Sequence, residues 1–303
     1  MRLLLELLPD AIAGEKYAIA RIISEIEKEN SLPFRKELFS KLEEQYPDRK
    51  SITIGITGTP GAGKSSLLGE LTREFLNLFS KEKLAMLAID PTSHVTGGSI
   101  LGDRTRVIVP RRENRVFFRS QASQLELGGL NPFTYHVLRF LRYLYDFVII
   151  ETVGIGQNEI EISKITDSNL LVLQPLGGDQ VQFMKSGIME IPNAFILNKC
   201  DEEPAASRAY AQLLSTLEFI HSVNLAKDVP PIFKTSALKQ IGIVELWEYF
   251  RTIHPSDKSK ESILQFEKWV KEEYGKTGLK KLKLFPNFYE GLHSFEEFEL
   301  RFR

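Results

Sequence analysis

Gly58-Thr59-Pro60-Gly61-Ala62-Gly63-Lys64-Ser65 fits the spacing G-x-x-x-x-G-K-[ST]. Glycines at these places let the backbone curl so that successive N–H groups point at phosphate oxygens. A helix starting at the end of the motif adds a dipole that favours anions. Lys64 is then set to bridge the outer phosphates, and the Ser65 hydroxyl to bind Mg²⁺. The plain alternative is a glycine-rich strand-to-helix turn. The apolar run before the motif and the helical stretch Ser65 to Phe79 after it are the context that a phosphate cradle needs.

Asn198-Lys199-Cys200-Asp201 follows a later apolar run. In an N-K-x-D loop the aspartate accepts hydrogen bonds from the ring N–H and exocyclic amine of guanine, a donor pair that adenine lacks. Alone, the tetrapeptide is a common loop sequence; downstream of a phosphate cradle it predicts base reading. Thr235-Ser236-Ala237-Leu238 resembles the loop that closes over guanine, which makes Ser236, Ala237 and Leu238 candidates. Glu151-Thr152-Val153-Gly154 stands where a carboxylate can hold Mg²⁺ through water or orient an attacking water. There the Gly154 N–H can sense the γ-phosphate; a polar strand cap is the bland reading. Asp90 to Arg106, DPTSHVTGGSILGDRTR, begins at a strand end where a carboxylate can face the metal. Asp103 and Arg104 follow a Gly-rich stretch that suits a nucleotide-sensing switch, although a solvated surface loop reads the same way.

These residues need strands to end at them and helices to follow. The runs SITIGIT (51–57), LAMLAID (84–90), RVFFRS (115–120), FVIIET (147–152), NLLVLQP (169–175), AFILNK (194–199) and PPIFKTS (230–236) supply the strands. Continuous apolar strands between helical stretches predict an α/β fold with a mostly parallel sheet covered by helices on both faces. Residues 1–46 read as helical, with Ala18, Ile19, Ile22, Ile23 and Ile26 at helical spacing and Pro33 as an interruption before a helix from Phe34 to Tyr46. A further helix is expected over Glu261 to Tyr274. The expected organisation is a helical N-terminal extension (1–48), a P-loop domain (49–252) and a C-terminal helical arm (253–303).

Composition narrows the function classes. Of 303 residues, 43% are hydrophobic and 26% charged, which excludes wholesale disorder and a collagen-like chain. Lys and Arg total 39 and Asp and Glu 40, so no large basic surface for nucleic acid is expected. One Cys excludes an intramolecular disulfide or a multi-Cys zinc site and points to a reducing, cytoplasmic setting. Met1 to Leu8, MRLLLELL, reads as an amphipathic helix rather than a leader, since Glu6 breaks the apolar run. No stretch reaches the roughly 18 apolar residues of a spanning helix, so no membrane partner is expected. Phe is abundant, at 20 against 9 Tyr and 2 Trp. Phe285, Phe288, Phe295, Phe298 and Phe302 crowd the last twenty residues, and are expected to pack on the P-loop domain or on a second subunit.

Taken together, GTPGAGKSSLL, AIDPTSHVTGGSILGDRTR, FFRSQASQLELGGL, VIIETVGIGQNE and GIMEIPNAFILNKCD resemble the MeaB/ArgK/MMAA group of P-loop GTPases, chaperones of cobalamin-dependent acyl-CoA mutases. The resemblance runs from about Ala11 to Phe250 and implies a P-loop NTPase fold with helical extensions and a C-terminal dimerisation arm. It implies that Gly58, Gly61, Ala62, Gly63, Lys64, Ser65 and Ser66 bind the phosphates. It also implies that Ser65, Asp90, Asp103 and Glu151 surround Mg²⁺, and that Asn198, Lys199 and Asp201 read guanine. The segment Gly177 to Gly187, with Gln182 and Lys185, falls where the family has a further switch that influences hydrolysis. GTP, GDP and Mg²⁺ are the implied ligands, with cobalamin only through an adenosylcobalamin-dependent acyl-CoA mutase partner, and a homodimer is implied as well. The sequence departs from the family pattern in QLE of FFRSQASQLELGGL, at Pro175 and over Leu284 to Arg303.

No Gln follows Gly154 directly, so slow intrinsic hydrolysis is expected, with Gln157 nearby in sequence. Two other classes stay open at this point, a metallochaperone GTPase for metal-centre insertion and a P-loop kinase. Against the first, Cys200 is alone and His94, His136, His221, His254 and His293 are scattered. Against the second stands the N-K-x-D loop.

Overall fold

The computed structural model describes residues 2–90, 113–122, 130, 133–152, 157–175, 188–223, 229–255, 258–285 and 287–302. The strands are β1 (Ile52–Gly58), β2 (Leu84–Asp90), β3 (Val116–Ala122), β4 (Phe147–Thr152), β5 (Ser168–Leu173), β6 (Ala194–Leu197) and β7 (Ile232–Lys234). The helices are α1 (Arg2–Leu5), α2 (Leu8–Ala13), α3 (Lys16–Ile26), α4 (Leu32–Gln45), α5 (Lys64–Leu78) and α6 (Thr134–Leu144). They continue as α7 (Gln157–Ser163), α8 (Glu203–Val223), α9 (Ile243–Thr252), α10 (Lys258–Lys283) and α11 (Phe295–Phe302). The chain divides into two compact units. One holds Lys50–Asn131 and Tyr145–Pro255; the other holds Met1–Arg49, Pro132–Leu144 and Ser256–Arg303.

In the first unit all seven expected runs become strands of one sheet, in the order β3-β2-β4-β1-β5-β6-β7. Every neighbouring pair is parallel. Each position of β2, β4, β5 and β6 is buried, the signature of a sheet covered on both faces. This is the α/β P-loop NTPase fold that the strand rhythm predicts. Thr53 fixes the start of β1, giving its N–H and its hydroxyl to Asp167 Oδ2 at 2.7 and 2.6 Å. The core beside α5 and α9 is aromatic, with Trp247 ringed by Phe75, Phe79, Phe147 and Phe250. The Trp247 indole N–H is satisfied by Leu71 O at 3.0 Å, so the ring is buried without an orphaned donor.

The second unit is helical. Ala18, Ile19, Ile22, Ile23 and Ile26 form the buried stripe of α3, as their spacing predicts. Pro33 does not interrupt: α4 starts at Leu32 and Pro33 sits in its first turn, where no backbone N–H is needed. Helix α10 runs longer than the expected Glu261–Tyr274, with a bend at Gly275 (φ 59°, ψ −154°). Ser294 and Glu297 form a capping box that starts α11: the Glu297 N–H donates to Ser294 Oγ (3.3 Å) and the Ser294 N–H to Glu297 Oε2 (3.1 Å).

The Phe-rich tail packs, but its partners are ones the sequence reading did not name. Phe288, Phe295, Phe298 and Phe302 are buried, and their rings lie 5.5 to 5.9 Å from that of Phe266 in α10. Phe285 remains 54% exposed. Buried ion pairs draw distant segments together: Arg35 to Glu299 (3.1 Å), Arg139 to Glu296 (2.8 Å) and Arg142 to Glu261 (3.0 Å). The division differs from the expected organisation in one respect. The terminal segments, expected as separate extensions, share a unit, and Pro132–Leu144 joins them instead of the P-loop domain.

Candidate functional site

The candidate site is built at the C-terminal ends of β1, β2, β4 and β6 and at the start of α5. Gly58 ends β1 at φ +144°, and a Cβ there would stand 2.2 Å from Val172 O of β5. Gly63 precedes α5 at φ +86°, where a Cβ would meet Asn198 Nδ2 at 2.6 Å. Both positions therefore exclude a side chain by backbone conformation and by space. Lys64 is 5% exposed, and its ammonium donates to Gly58 O (2.7 Å) and Thr59 O (2.9 Å) inside the loop. Ala62 is buried, whereas Ser66 is exposed in the first turn of α5.

Two carboxylates share the neighbouring face of the sheet. Glu151 of β4 pairs in register with Ala88 of β2, and Asp90 lies two residues farther along β2. Side chains alternate along a strand, so Asp90 and Glu151 project to the same face. Both are buried, at 2% and 3% exposure. Ser65 reaches them from α5, donating its hydroxyl to Glu151 Oε1 at 3.0 Å. A hydroxyl and two carboxylates are hard oxygen donors, which suits Mg²⁺ rather than a thiophilic metal. Asp103, Arg104, Gly154, Gln182, Lys185 and the rest of the Gly177 to Gly187 switch lie outside the described residues, as does the side chain of Gln157.

Across the Gly58 to Ser65 loop stands the Asn198 to Asp201 loop. Asn198 is 1% exposed and committed to protein: its amide donates to Ala62 O at 2.8 Å, and its carbonyl accepts from Thr235 Oγ1 at 3.0 Å. It ties the two loops together. Lys199 adopts φ +60° and donates to Gln174 Oε1 at 3.0 Å. Asp201 Oδ1 accepts the Ser236 hydroxyl. Ser236 Oγ accepts in turn from the Lys239 N–H at 2.9 Å, and Lys239 Nζ donates to Asp201 O at 2.5 Å. Ala237 continues this turn, and Leu238 is 84% exposed beside it.

Sequence reading passed over Thr235, Gln174 and Lys239 as individual contributors. Lys239 had one usable signal, its place three residues after Ser236 in a turn; Gln174 had none. Cys200, the variable residue of N-K-x-D, is 8% exposed and hydrogen-bonds Leu197 O at 3.0 Å. Burial pushes its thiol up, so it is a packing residue rather than a nucleophile.

Residues 19–272 match the family described as Methylmalonyl Co-A mutase-associated GTPase MeaB. The chain belongs to the MeaB family. It is a P-loop GTPase of that family. A Pyrococcus abyssi relative is 38% identical over 258 residues, covering 80% of this chain and 74% of that one. The Caenorhabditis briggsae protein named Methylmalonic aciduria type A homolog, mitochondrial, is 32% identical, covering 87% and 68%. GTPase ArgK of Escherichia coli is 37% identical over 202 residues, 65% of this chain and 60% of that one. Among solved structures, the one titled LAO/AO transport system kinase aligns with a TM-score of 0.62 at 22% identity, covering 94% of this chain and 89% of that one. Hydrogenase maturation factor HypB from Archaeoglobus fulgidus aligns at 0.50 with 18% identity, covering 72% and 98%. These two likenesses speak for the fold alone. The MeaB-family match stops at 272, so the whole Phe-rich tail lies beyond it.

Proposed function

We propose that this MeaB-family GTPase binds GTP and GDP with Mg²⁺ and hydrolyses GTP slowly on its own. Its nucleotide state would gate cobalamin loading, or protection, of an adenosylcobalamin-dependent acyl-CoA mutase. The observation that carries the nucleotide half is the Ser65–Glu151 contact beneath the phosphate loop. The family's description as mutase-associated, and the name of the Caenorhabditis briggsae relative, support the partner. No comparable support exists for a metallochaperone or a kinase beyond likeness of fold.

In this reading the N–H groups of Gly61 to Ser66 hold the β- and γ-phosphates, and the Lys64 ammonium exchanges two loop carbonyls for phosphate oxygens. Ser65, Asp90 and Glu151, with Asp103, would hold Mg²⁺ directly or through water. When bound, the ion neutralises charge on the phosphate oxygens. Water attacks the γ-phosphorus, the bond to the bridging oxygen breaks, GDP leaves with that electron pair, and the proton lost by the water passes to a phosphate oxygen. Asp201 reads guanine, while Asn198 and Thr235 position the base loop on the phosphate loop. Leu238 and Ala237 cover the base. A homodimer and a cytoplasmic setting remain part of this proposal.

Size-exclusion chromatography of the purified protein with a purified methylmalonyl-CoA mutase tests the gating. Complex formation that differs between GTP and GDP is expected. Equal co-elution with GTP, GDP and no nucleotide would overturn it.

A further inference from the structure

The helical unit holds a cleft that the nucleotide account does not use. Its volume is about 210 Å³, several times the ~30 Å³ share of one water, so it admits more than a bare ion. Arg49, Arg139 and Arg142 line it together with Tyr135, Tyr143 and Glu43. The cations come from α6 and from the turn after α4, and among the described lining residues the only carboxylate is Glu43.

Two of these guanidiniums are held rigidly. Arg139 Nη1 donates to both oxygens of Glu296 (2.8 and 3.0 Å), and its plane lies 3.9 Å over the Phe39 ring. Arg142 Nη1 donates to both oxygens of Glu261 (3.1 and 3.0 Å). Burial opposes the charge on Arg139, but the Glu296 carboxylate outweighs it and holds the guanidinium charged. Burial pushes the Tyr135 and Tyr143 phenols up to about 12, so both remain neutral walls. Arginine presents several N–H donors in one plane, which matches carboxylate and phosphate oxygens.

Glu43 shows the direction from which an anion approaches. Its Oε1 lies 3.6 Å from Arg139 Nη2, beyond hydrogen-bond reach, and its side chain is 52% exposed. It is therefore a weak internal competitor for the same guanidinium. We propose that this cleft binds a small organic oxyanion, a carboxylate or phosphate monoester with a flat or apolar body. Arg49 and Arg139 take the oxyanion, displacing Glu43, while Tyr135 and Tyr143 flank the body.

Titration calorimetry of the full chain with phenyl phosphate, benzoate and inorganic phosphate tests this. Phenyl phosphate or benzoate is expected to bind, and more tightly than inorganic phosphate; whichever binds better identifies the headgroup. Arg49→Ala should weaken binding roughly tenfold, the share of one charge-assisted hydrogen bond. Glu43→Gln, at an exposed position, should tighten it by removing the competing charge. Lys64→Ala should leave it unchanged. No heat with either organic anion at millimolar concentration would overturn the proposal. So would affinities unchanged in both the Arg49 and Glu43 variants, or binding lost in Lys64→Ala, which would place the anion on the phosphate loop.

Discussion

Ser65, in the first turn of α5, donates its hydroxyl across 3.0 Å to the buried carboxylate of Glu151 at the end of β4. The contact joins the phosphate loop to the strand that leads towards Gly154. Glu151→Gln keeps the volume and an acceptor for Ser65 but removes the charge. Single-turnover GTP hydrolysis should fall by about 10²–10³-fold, the usual cost of losing one preorganised electrostatic partner. The fold should survive, which circular dichroism would check. An unchanged rate would remove Glu151 from the chemistry.

Lys64→Ala should weaken nucleotide binding by about 1.5–3 kcal/mol, the range for hydrogen bonds to charged groups. Its ammonium already holds two loop carbonyls, so the loop itself should also loosen. Calorimetry with GDP reads the affinity. An affinity equal to that of the wild type would refute the cradle.

Gly58→Ala tests the geometry of the loop rather than its charge. A Cβ 2.2 Å from Val172 O forces β1 and β5 apart at their site end, in a backbone region that side chains avoid. A loss of about 1–3 kcal/mol is expected from overpacking. Urea unfolding should show a lowered midpoint; an unchanged one would mean the backbone relaxes freely.

Acid should weaken the helical unit before it affects the sheet. Burial depresses the pKa of His136, outweighing Glu296, whose Oε1 is 3.4 Å from His136 Nδ1. Burial pushes Glu296 up, but Arg139 and His136 override it and hold the carboxyl well below its usual range. Both folded values lie below the unfolded ones, so the unfolded chain binds more protons as pH falls. Stability is full above the unfolded histidine value of about 6.5 and declines below it, with Glu296 adding a second loss below about 4.3. Hydrogen exchange over residues 134–144 should show protection falling between pH 7 and pH 5. His136→Phe should flatten that fall; an equal slope in the variant would exclude His136 as its source.

Much of the fold is written locally. The seven runs of β-branched and apolar residues each carry their own strand signal, and the glycine spacing before Lys64 fixes a loop that can be read in eight residues. What the sequence left dark is carried by contacts between distant residues. Arg35 and Glu299 are 264 positions apart, so nothing local announces that the chain ends share a unit. The tail aromatics signal burial but not a partner, because hydrophobicity has no direction. Pro33 does not interrupt the helix because proline breaks a helix interior yet suits a first turn, and the spacing alone does not say which applies. In the site, the commitment of Asn198 to Ala62 O and Thr235 is a matter of three-dimensional proximity that the N-K-x-D pattern does not contain.

In the proposed function this chain selects guanine nucleotides through the Asp201 carboxylate. Competitive binding of GTP and xanthosine triphosphate to the wild type and to Asp201→Asn tests it most directly. The variant exchanges an acceptor for a donor opposite the base. The wild type should prefer GTP, and Asp201→Asn should reverse the preference toward xanthosine triphosphate. A variant that still prefers GTP would contradict the claim.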